Sequence, residues 1–377
     1  MDFGLSEEQE LLQQSARDFL SRECAPAFVR EVMRPDGDGH SRVFHGKLAE
    51  MGWTGLIVPE AFGGLGLSLL DLVVLAEEMG RAAMPGPFFS SSILATLALA
   101  RGAAAHKKAW LPKIASGTAI GALAFLEESD RLDAAGIATT CKETRSGYRI
   151  DGRKLFVTDA HVADFLVVAA RGRGKDEAGV YLLLVARDAP GLTVTPLHCI
   201  DQTRRPCEVV FDAVEVPAAA LVVAAEKGWK VLRQVMDAAC IVLAADSLGG
   251  SEKSLEMAVE YSKVRQQFGR PIGSFQAVKH MAAETVSEIE PARSLVWYAA
   301  YAFDNDPKDA PRAAALAKAR LSDVYTRATN RAVQIHGGIG FTWEHDMHLW
   351  FKRAKYNELA FGDATYHRER LAQLAGW

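Results

Sequence analysis

The strongest constraint on the fold is that the texture of the sequence changes twice. Up to about residue 118, apolar residues recur at three- and four-residue spacing, as in LLDLVVLAEEMG and SSILATLALARG, the period of a helix face. Only the glycine-rich turn PEAFGGLGLS interrupts this pattern. From about 121 to 220 the apolar runs shorten and begin to alternate, in GALAFLE, YRIDGRKLFVTD, DFLVVAAR, VYLLLVAR and CEVVFDAVEVP, with RSG, DG and APG between them. Such runs with such turn signals predict a compact antiparallel β domain. Beyond 226 the helical period returns in long segments, 229–262, 275–304, 311–335 and 345–374, and short corners between long helices predict an antiparallel bundle. The expected architecture is α+β: an N-terminal helical domain over 1–120, a middle antiparallel β domain over 121–225 and a C-terminal four-helix bundle over 226–377.

That order excludes several chemistries. The GGIG of QIHGGIGF lies between two helical segments and GGLGLS follows no strand, so neither meets the strand–turn–helix context of a dinucleotide-binding loop. No GxxxxGK[ST], HExxH or GxSxG is present. A net charge of −4 with no basic stripe argues against a nucleic-acid partner. The five cysteines are scattered and form no CxxC, which suggests neither a disulfide framework nor a metal site. The stretch MDFGLSEEQELLQQSARDFL is acidic where a secretory leader is basic, and Ser6 with Gln9 reads as a capping box opening a helix. No apolar run reaches the roughly 18 residues of a membrane span, so the expectation is a cytoplasmic protein.

Two C-terminal stretches carry the functional signal. RQQFGRPIGSFQ sets Arg265 and Gln276 on either side of a Phe-Gly corner, and QIHGGIGFTWEH ends a helix on adjacent glycines. Together with PEAFGGLGL and the helix–β–helix order, they make the whole chain resemble the acyl-CoA dehydrogenase family. The resemblance implies FAD at a dimer interface and a flavin that takes hydride from the β-carbon of an acyl-CoA thioester. It further implies that Arg265, Phe268 and Gln276 reach the ADP half of an FAD bound mainly by the neighbouring subunit, where a guanidinium beside a pyrophosphate makes charge-assisted hydrogen bonds. Gln334, Gly337 and Gly338 are implied at the adenosine, where side-chain-free backbone approaches closely. Thr158 of KLFVTD is implied at the isoalloxazine, with Phe156 standing where tryptophan usually covers the ring.

The rest of the family pattern is eroded. Where relatives carry TEPGAGSD, this chain has LEESDRLD at 126–133; Glu127 and Asp133 survive, while Ser129 and Arg131 replace glycines and Glu128 and Asp130 add carboxylates. Such a loop is expected not to embrace phosphate. The glutamate that removes the α-proton in the family aligns with Phe361, and the alternative position on the first bundle helix aligns with Ala239. Asp246 and Asp363 are the nearby carboxylates and the candidate bases.

Three readings stand at this point. One is a subunit that completes the FAD site of a homologous catalytic partner, as in heteromeric members of the family active on steroid or other unusual acyl-CoAs. Another is a self-sufficient homo-oligomeric dehydrogenase using Asp246 or Asp363, and a third is a non-catalytic binding protein on the same fold. For the first two, the resemblance implies acyl-CoA as substrate and an electron-transfer flavoprotein as electron acceptor.

Overall fold

The computed structural model describes residues 4–174 and 176–377, which gather into two compact units, each assembled from discontinuous segments. The helical first third is divided between them. Val32–Leu67 and Pro85–Met236 form one unit; residues up to Glu31, Ser68–Met84 and Asp237–Trp377 form the other.

The unit around the middle of the chain is built on a sheet of β1 (Gly121–Ala124), β2 (Thr140–Glu143), β3 (Gly147–Thr158), β4 (Phe165–Arg171), β5 (Val180–Ala186), β6 (Leu192–Pro196), β7 (Pro206–Pro217) and β8 (Leu221–Val223). Along the sheet the order is β6-β7-β3-β2-β4-β5-β8, with β1 also on β4. Antiparallel pairing dominates, but β1 runs parallel to β4 in the register Gly121 with Phe165, and β2 meets β4 in parallel at Thr140 with Arg171. The sheet is therefore mixed, because β1 and β2 reach β4 through crossovers and not through hairpins.

Long strand β7 explains how its sequence fills the core. After the buried Pro206 that opens it, its buried residues are Cys207, Val209 and Phe211, then Val214 and Val216, so beyond the first residue the inward parity changes once. The change falls at Ala213, whose φ of 53° and register shift against β3 mark a bulge. The Asp151 carboxylate accepts from the Ala213 amide at 3.0 Å and satisfies the bulged backbone.

In the other unit, α1 (Glu7–Glu23) opens with the expected capping box: the Gln9 amide donates to Ser6 Oγ at 3.2 Å and the Ser6 amide donates to Gln9 Oε1 at 3.1 Å. Here α2 (Leu69–Arg81) packs with α3, which runs from Ala225 to Val264 and enters this unit at Asp237, and with α4 (Gln276–Asn305). Glycine allows the approach of α2 to α3. A Cβ on Gly80 would run into the backbone of Asp246, and one on Gly249 into that of Glu77. Next come α5 (Ala310–His336), α6 (Met347–Leu359) and α7 (Ala364–Leu374). The segment expected as one helix over 345–374 is thus two. Phe361 at φ 60° and Gly362 at φ 96° break it, and Asp363 caps the second piece by accepting from the Tyr366 amide at 2.7 Å.

Among the described residues, no helix is long and apolar enough to cross a membrane. His40 and His45 sit edge to face with centroids 5.5 Å apart, and burial pulls each down to about 4. A histidine whose folded value lies below its unfolded value near 6.5 stabilises the fold above 6.5 and loses that contribution as pH falls toward 4. In urea unfolding, the stability of wild type relative to His45→Gln should therefore fall between pH 7 and pH 5; a difference that stays constant would contradict this.

Candidate cofactor face and catalytic position

The bundle unit gathers one group of the expected site residues at a single end. Helix α3 finishes at Val264 and the chain turns through a short hairpin, β9 (Gln266–Gln267) against β10 (Arg270–Pro271), with Phe268 at φ 53° and Gly269 at φ 75° at its tip. The Ile272 amide donates to the Arg265 carbonyl at 2.8 Å, which closes the hairpin at its base. Its tip is braced by aromatics: Arg270 lies 4.2 Å from the Phe275 ring centroid, and Phe268 meets Phe275 edge to face at 6.0 Å. Phe268 is nonetheless 91% exposed, and Arg265 and Gln276 are exposed as well. Through its side chain Arg265 takes part in no hydrogen bond or ion pair among the described residues.

The C-terminal end of α5 lies beside this hairpin. Tyr261, one turn before Arg265, stacks on His336 at 4.7 Å. A cleft of about 510 Å³ is walled by Ala258, Pro271, Gly273, Val278 and Ile335, so Gln334 and Gln276 each lie next in sequence or nearly so to its lining. Gln334, Gly337 and Gly338 are exposed, and a Cβ on either glycine would meet nothing within 4 Å. The fold thus brings Arg265, Phe268, Gln276, Gln334, Gly337 and Gly338 to one face that carries an unpaired cation, two amides and open backbone. Those are the groups suited to an adenosine diphosphate moiety, and the fit holds for this half of FAD.

The sheet-bearing unit holds the remaining expected contacts. Phe156 stands at a second register break between β3 and β7, at φ 54°, and is 57% exposed; Thr158, two residues on, is buried and pairs in register with Pro206. Two carboxylates of the loop over 126–133, those of Glu127 and Asp133, are engaged by the chain's own donors. Glu127 accepts from the amides of Ala138 at 3.0 Å and Thr139 at 2.9 Å and from the buried Lys154 ammonium at 2.6 Å. Asp133 accepts from the Gly136 amide at 3.1 Å and pairs with Arg131. Glu128 and Asp130 are exposed. With Ser129 and Arg131 in place of glycines and the exposed Glu128 and Asp130 carboxylates added, the loop does not fit a pyrophosphate.

The carboxylate of Asp246, one of the two candidate bases, is buried against Arg353: the guanidinium donates through Nε to Oδ1 at 2.9 Å and through Nη2 to Oδ2, and Asn357 Nδ2 donates to Oδ1 at 2.7 Å. Arg353, 1% exposed, also donates to the Met84 carbonyl at 2.8 Å. A carboxylate held this way is a counter-ion and is not poised to take a substrate proton. Asp363 is the N-cap of α7, and Ala239 is fully buried.

The corner bearing Phe361 is gripped from beneath by groups the motifs did not reveal. Lys318 Nζ donates to the carbonyls of Glu358 at 3.1 Å and Gly362 at 2.8 Å and lies 3.0 Å from Ser322 Oγ. His367 Nε2 lies 3.0 Å from the Phe361 carbonyl. Burial pulls the Lys318 amine down to about 8. A signal for Lys318 did exist, since it interrupts the apolar stripe of an alanine-rich helix, where a charge is out of place unless it is bonded.

Known proteins resemble the chain along its whole length. Family models described as the acyl-CoA dehydrogenase N-terminal, middle and C-terminal domains match residues 6–118, 122–214 and 226–375. A Bacillus subtilis protein named "Probable acyl-CoA dehydrogenase YngJ" is 32% identical over 380 residues, covering 99% of each chain. Among solved structures, one titled as the ChsE4-ChsE5 complex from Mycobacterium tuberculosis superposes with a TM-score of 0.91 at 29% identity over 100% of this chain and 99% of that one. One titled as the electron transferring flavoprotein of Acidaminococcus fermentans does so with a TM-score of 0.91 at 31% identity, again covering 100% and 99%. With all three domains matched in order, and a relative above 30% identity across the full length, the chain belongs to the acyl-CoA dehydrogenase family.

Proposed function

We propose that this chain is an acyl-CoA dehydrogenase subunit that completes the FAD site of a homologous catalytic partner. Members of the family are FAD-dependent oxidoreductases. The observation that carries the reading is an asymmetry: the face suited to the adenosine diphosphate half of FAD is intact, while the loop over 126–133 and the catalytic position are not. In this reading Arg265 pairs with the pyrophosphate, Gln276 and Gln334 bond polar edges of the dinucleotide, and Gly337 and Gly338 admit the adenosine. Phe156 and Thr158 face the isoalloxazine. FAD, when bound, accepts hydride from the β-carbon of an acyl-CoA thioester.

Proton removal is where this chain falls short. Phe361 and Ala239 carry no basic group, Asp246 is paired with Arg353, and Asp363 caps a helix, so the α-proton must leave to a partner's residue. The partner is a homologous subunit in a dimer or heterotetramer, and the reading is supported by the likeness to a chain of the ChsE4-ChsE5 complex. Electrons then pass to an electron-transfer flavoprotein, and the assembly works in the cytoplasm.

Arg265→Ala tests the face directly. It opens no core, so the thermal midpoint should hold within a few degrees while FAD retention in the assembled oligomer weakens by roughly tenfold or more, the worth of a charge-assisted bond of about 1.5–3 kcal/mol. Flavin content unchanged from wild type would sink the assignment.

A further inference from the structure

Gly337 and Gly338 are carried by a corner flanked by two histidines, His336 and His345. His336 closes α5 with its ring stacked on Tyr261 at 4.7 Å and 28°, and tilted against His345 at 4.4 Å; His345 in turn meets Tyr261 edge on at 6.5 Å. Hydrogen bonds fix the protons on both rings. His336 Nδ1 lies 2.7 Å from the Ala332 carbonyl, which can only accept, so Nδ1 carries the hydrogen. His345 Nδ1 accepts from the Met347 amide at 3.1 Å, so its hydrogen sits on Nε2. His336 Nε2 is buried with no hydrogen-bond partner among the described residues. Both imidazoles are thus held neutral.

A second proton has no good place. On His345 Nδ1 it would set donor against donor at the Met347 amide; on His336 Nε2 it would bury an unbonded cation beside a second imidazole. The charged surroundings do not offset it. From α1's side of the unit Arg30 donates to the His345 carbonyl at 3.1 Å and to Asp346 Oδ1 at 2.8 Å, so the nearest carboxylate is already engaged. From α6 His348 lies edge on to Trp343 at 4.7 Å, with both ring nitrogens unpartnered among the described residues, and Lys352 sits 3.8 Å over the same Trp343 ring. Tyr261 is the facing group from α3, and Glu344 is exposed. Burial lowers His336 and His345 and brings His348 to about 4.

We propose that His336 and His345 are positioning residues for the flavin-adenosine face: as a neutral pair stacked with Tyr261 they hold the 336–347 corner in the form that presents Gly337 and Gly338, and protonation of the pair releases that corner. The proposal rests on the reading of that face as the adenosine contact. Its sign follows from linkage: groups lowered below 6.5 in the held form favour the released form as pH falls.

The experiment uses the purified oligomer and two readouts. Amide-exchange protection of the 336–347 segment, measured without added FAD, and FAD affinity, measured by flavin fluorescence, are followed from pH 7.5 to 5.5. For one coupled proton the affinity should fall by up to about tenfold per pH unit below the transition, with protection of the segment falling in parallel. The comparison is His336→Asn with His345→Asn, since an asparagine amide can supply the donor to Ala332 and the acceptor for Met347 without titrating. That variant keeps the two hydrogen bonds but loses the rings stacked with Tyr261, so it should bind FAD no more tightly than wild type at pH 7.5, and it should lack the acid sensitivity of both readouts. Protection that does not change with pH, or acid sensitivity that persists in the variant, overturns the latch. Protection that falls while FAD affinity ignores pH overturns the coupling; if Arg265→Ala then also leaves flavin content unchanged, the failure lies in the reading of the face.

Discussion

Asp246→Ala should cost about 3–5 kcal/mol of stability, the penalty for leaving a buried guanidinium without its counter-ion. Arg353 is 1% exposed, so it cannot recover its loss by turning to water, and the Met84 carbonyl gives it a bond without a charge. The same substitution removes one acceptor of Asn357 Nδ2 and leaves it Ser247 Oγ at 3.1 Å. Urea unfolding measures the cost. Replacing the pair together, Asp246→Leu with Arg353→Met, should cost less than Asp246→Ala alone, because no charge is then stranded. A loss below about 1 kcal/mol for Asp246→Ala, the range of exposed pairs, would mean that the pair does not hold these helices. Activity lost from an Asp246→Asn protein of unchanged stability would return Asp246 to the role of base.

The second large effect is catalytic. Purified alone, this chain should dehydrogenate acyl-CoA at a rate lower by roughly 10²–10⁴ than an assembly with a basic group in place, the usual worth of general-base catalysis. Hydride cannot leave the β-carbon readily unless the α-proton leaves too, and neither Phe361 nor Ala239 can take it. Turnover of the assembled oligomer should be indifferent to Asp363→Asn, because asparagine keeps the helix cap through its own side-chain oxygen. Full turnover from the lone chain, abolished by Asp363→Asn, would assign the base to this chain and refute the accessory reading.

How much of this was legible in the sequence depended on whether the signal was local. Helix periods, the Ser6 capping box and the glycine corner after Arg265 are written in adjacent residues, and the fold follows them. An expectation for the exposed end of the bundle could be formed because RQQFGRPIGSFQ and QIHGGIGF keep their spacing. What escaped was set by packing across the chain. Asp246 looked like a candidate base because its helix face suggested a cleft; nothing in VLAADSLGG announces Arg353, more than a hundred residues on. The break at Phe361 was hidden inside an apolar period, since a left-handed phenylalanine has no sequence mark of its own beyond the glycine that follows it. Two strands meet β4 in parallel because of crossovers, which alternation alone does not encode. The histidine corner was overlooked because His336 and His345 lie on opposite sides of a glycine turn, and only the turn brings their rings together.

The most direct test of the central claim is flavin stoichiometry. The chain is expressed alone and together with a homologous family member from the same source, and FAD is counted against protein in each purified product by absorbance. An FAD-completing subunit should emerge nearly colourless alone and yellow in the complex, with fewer flavins than chains, and Arg265→Ala should lower the count in the complex. A chain that comes out alone with one tightly bound FAD per protomer, and turns over acyl-CoA in that state, would contradict it.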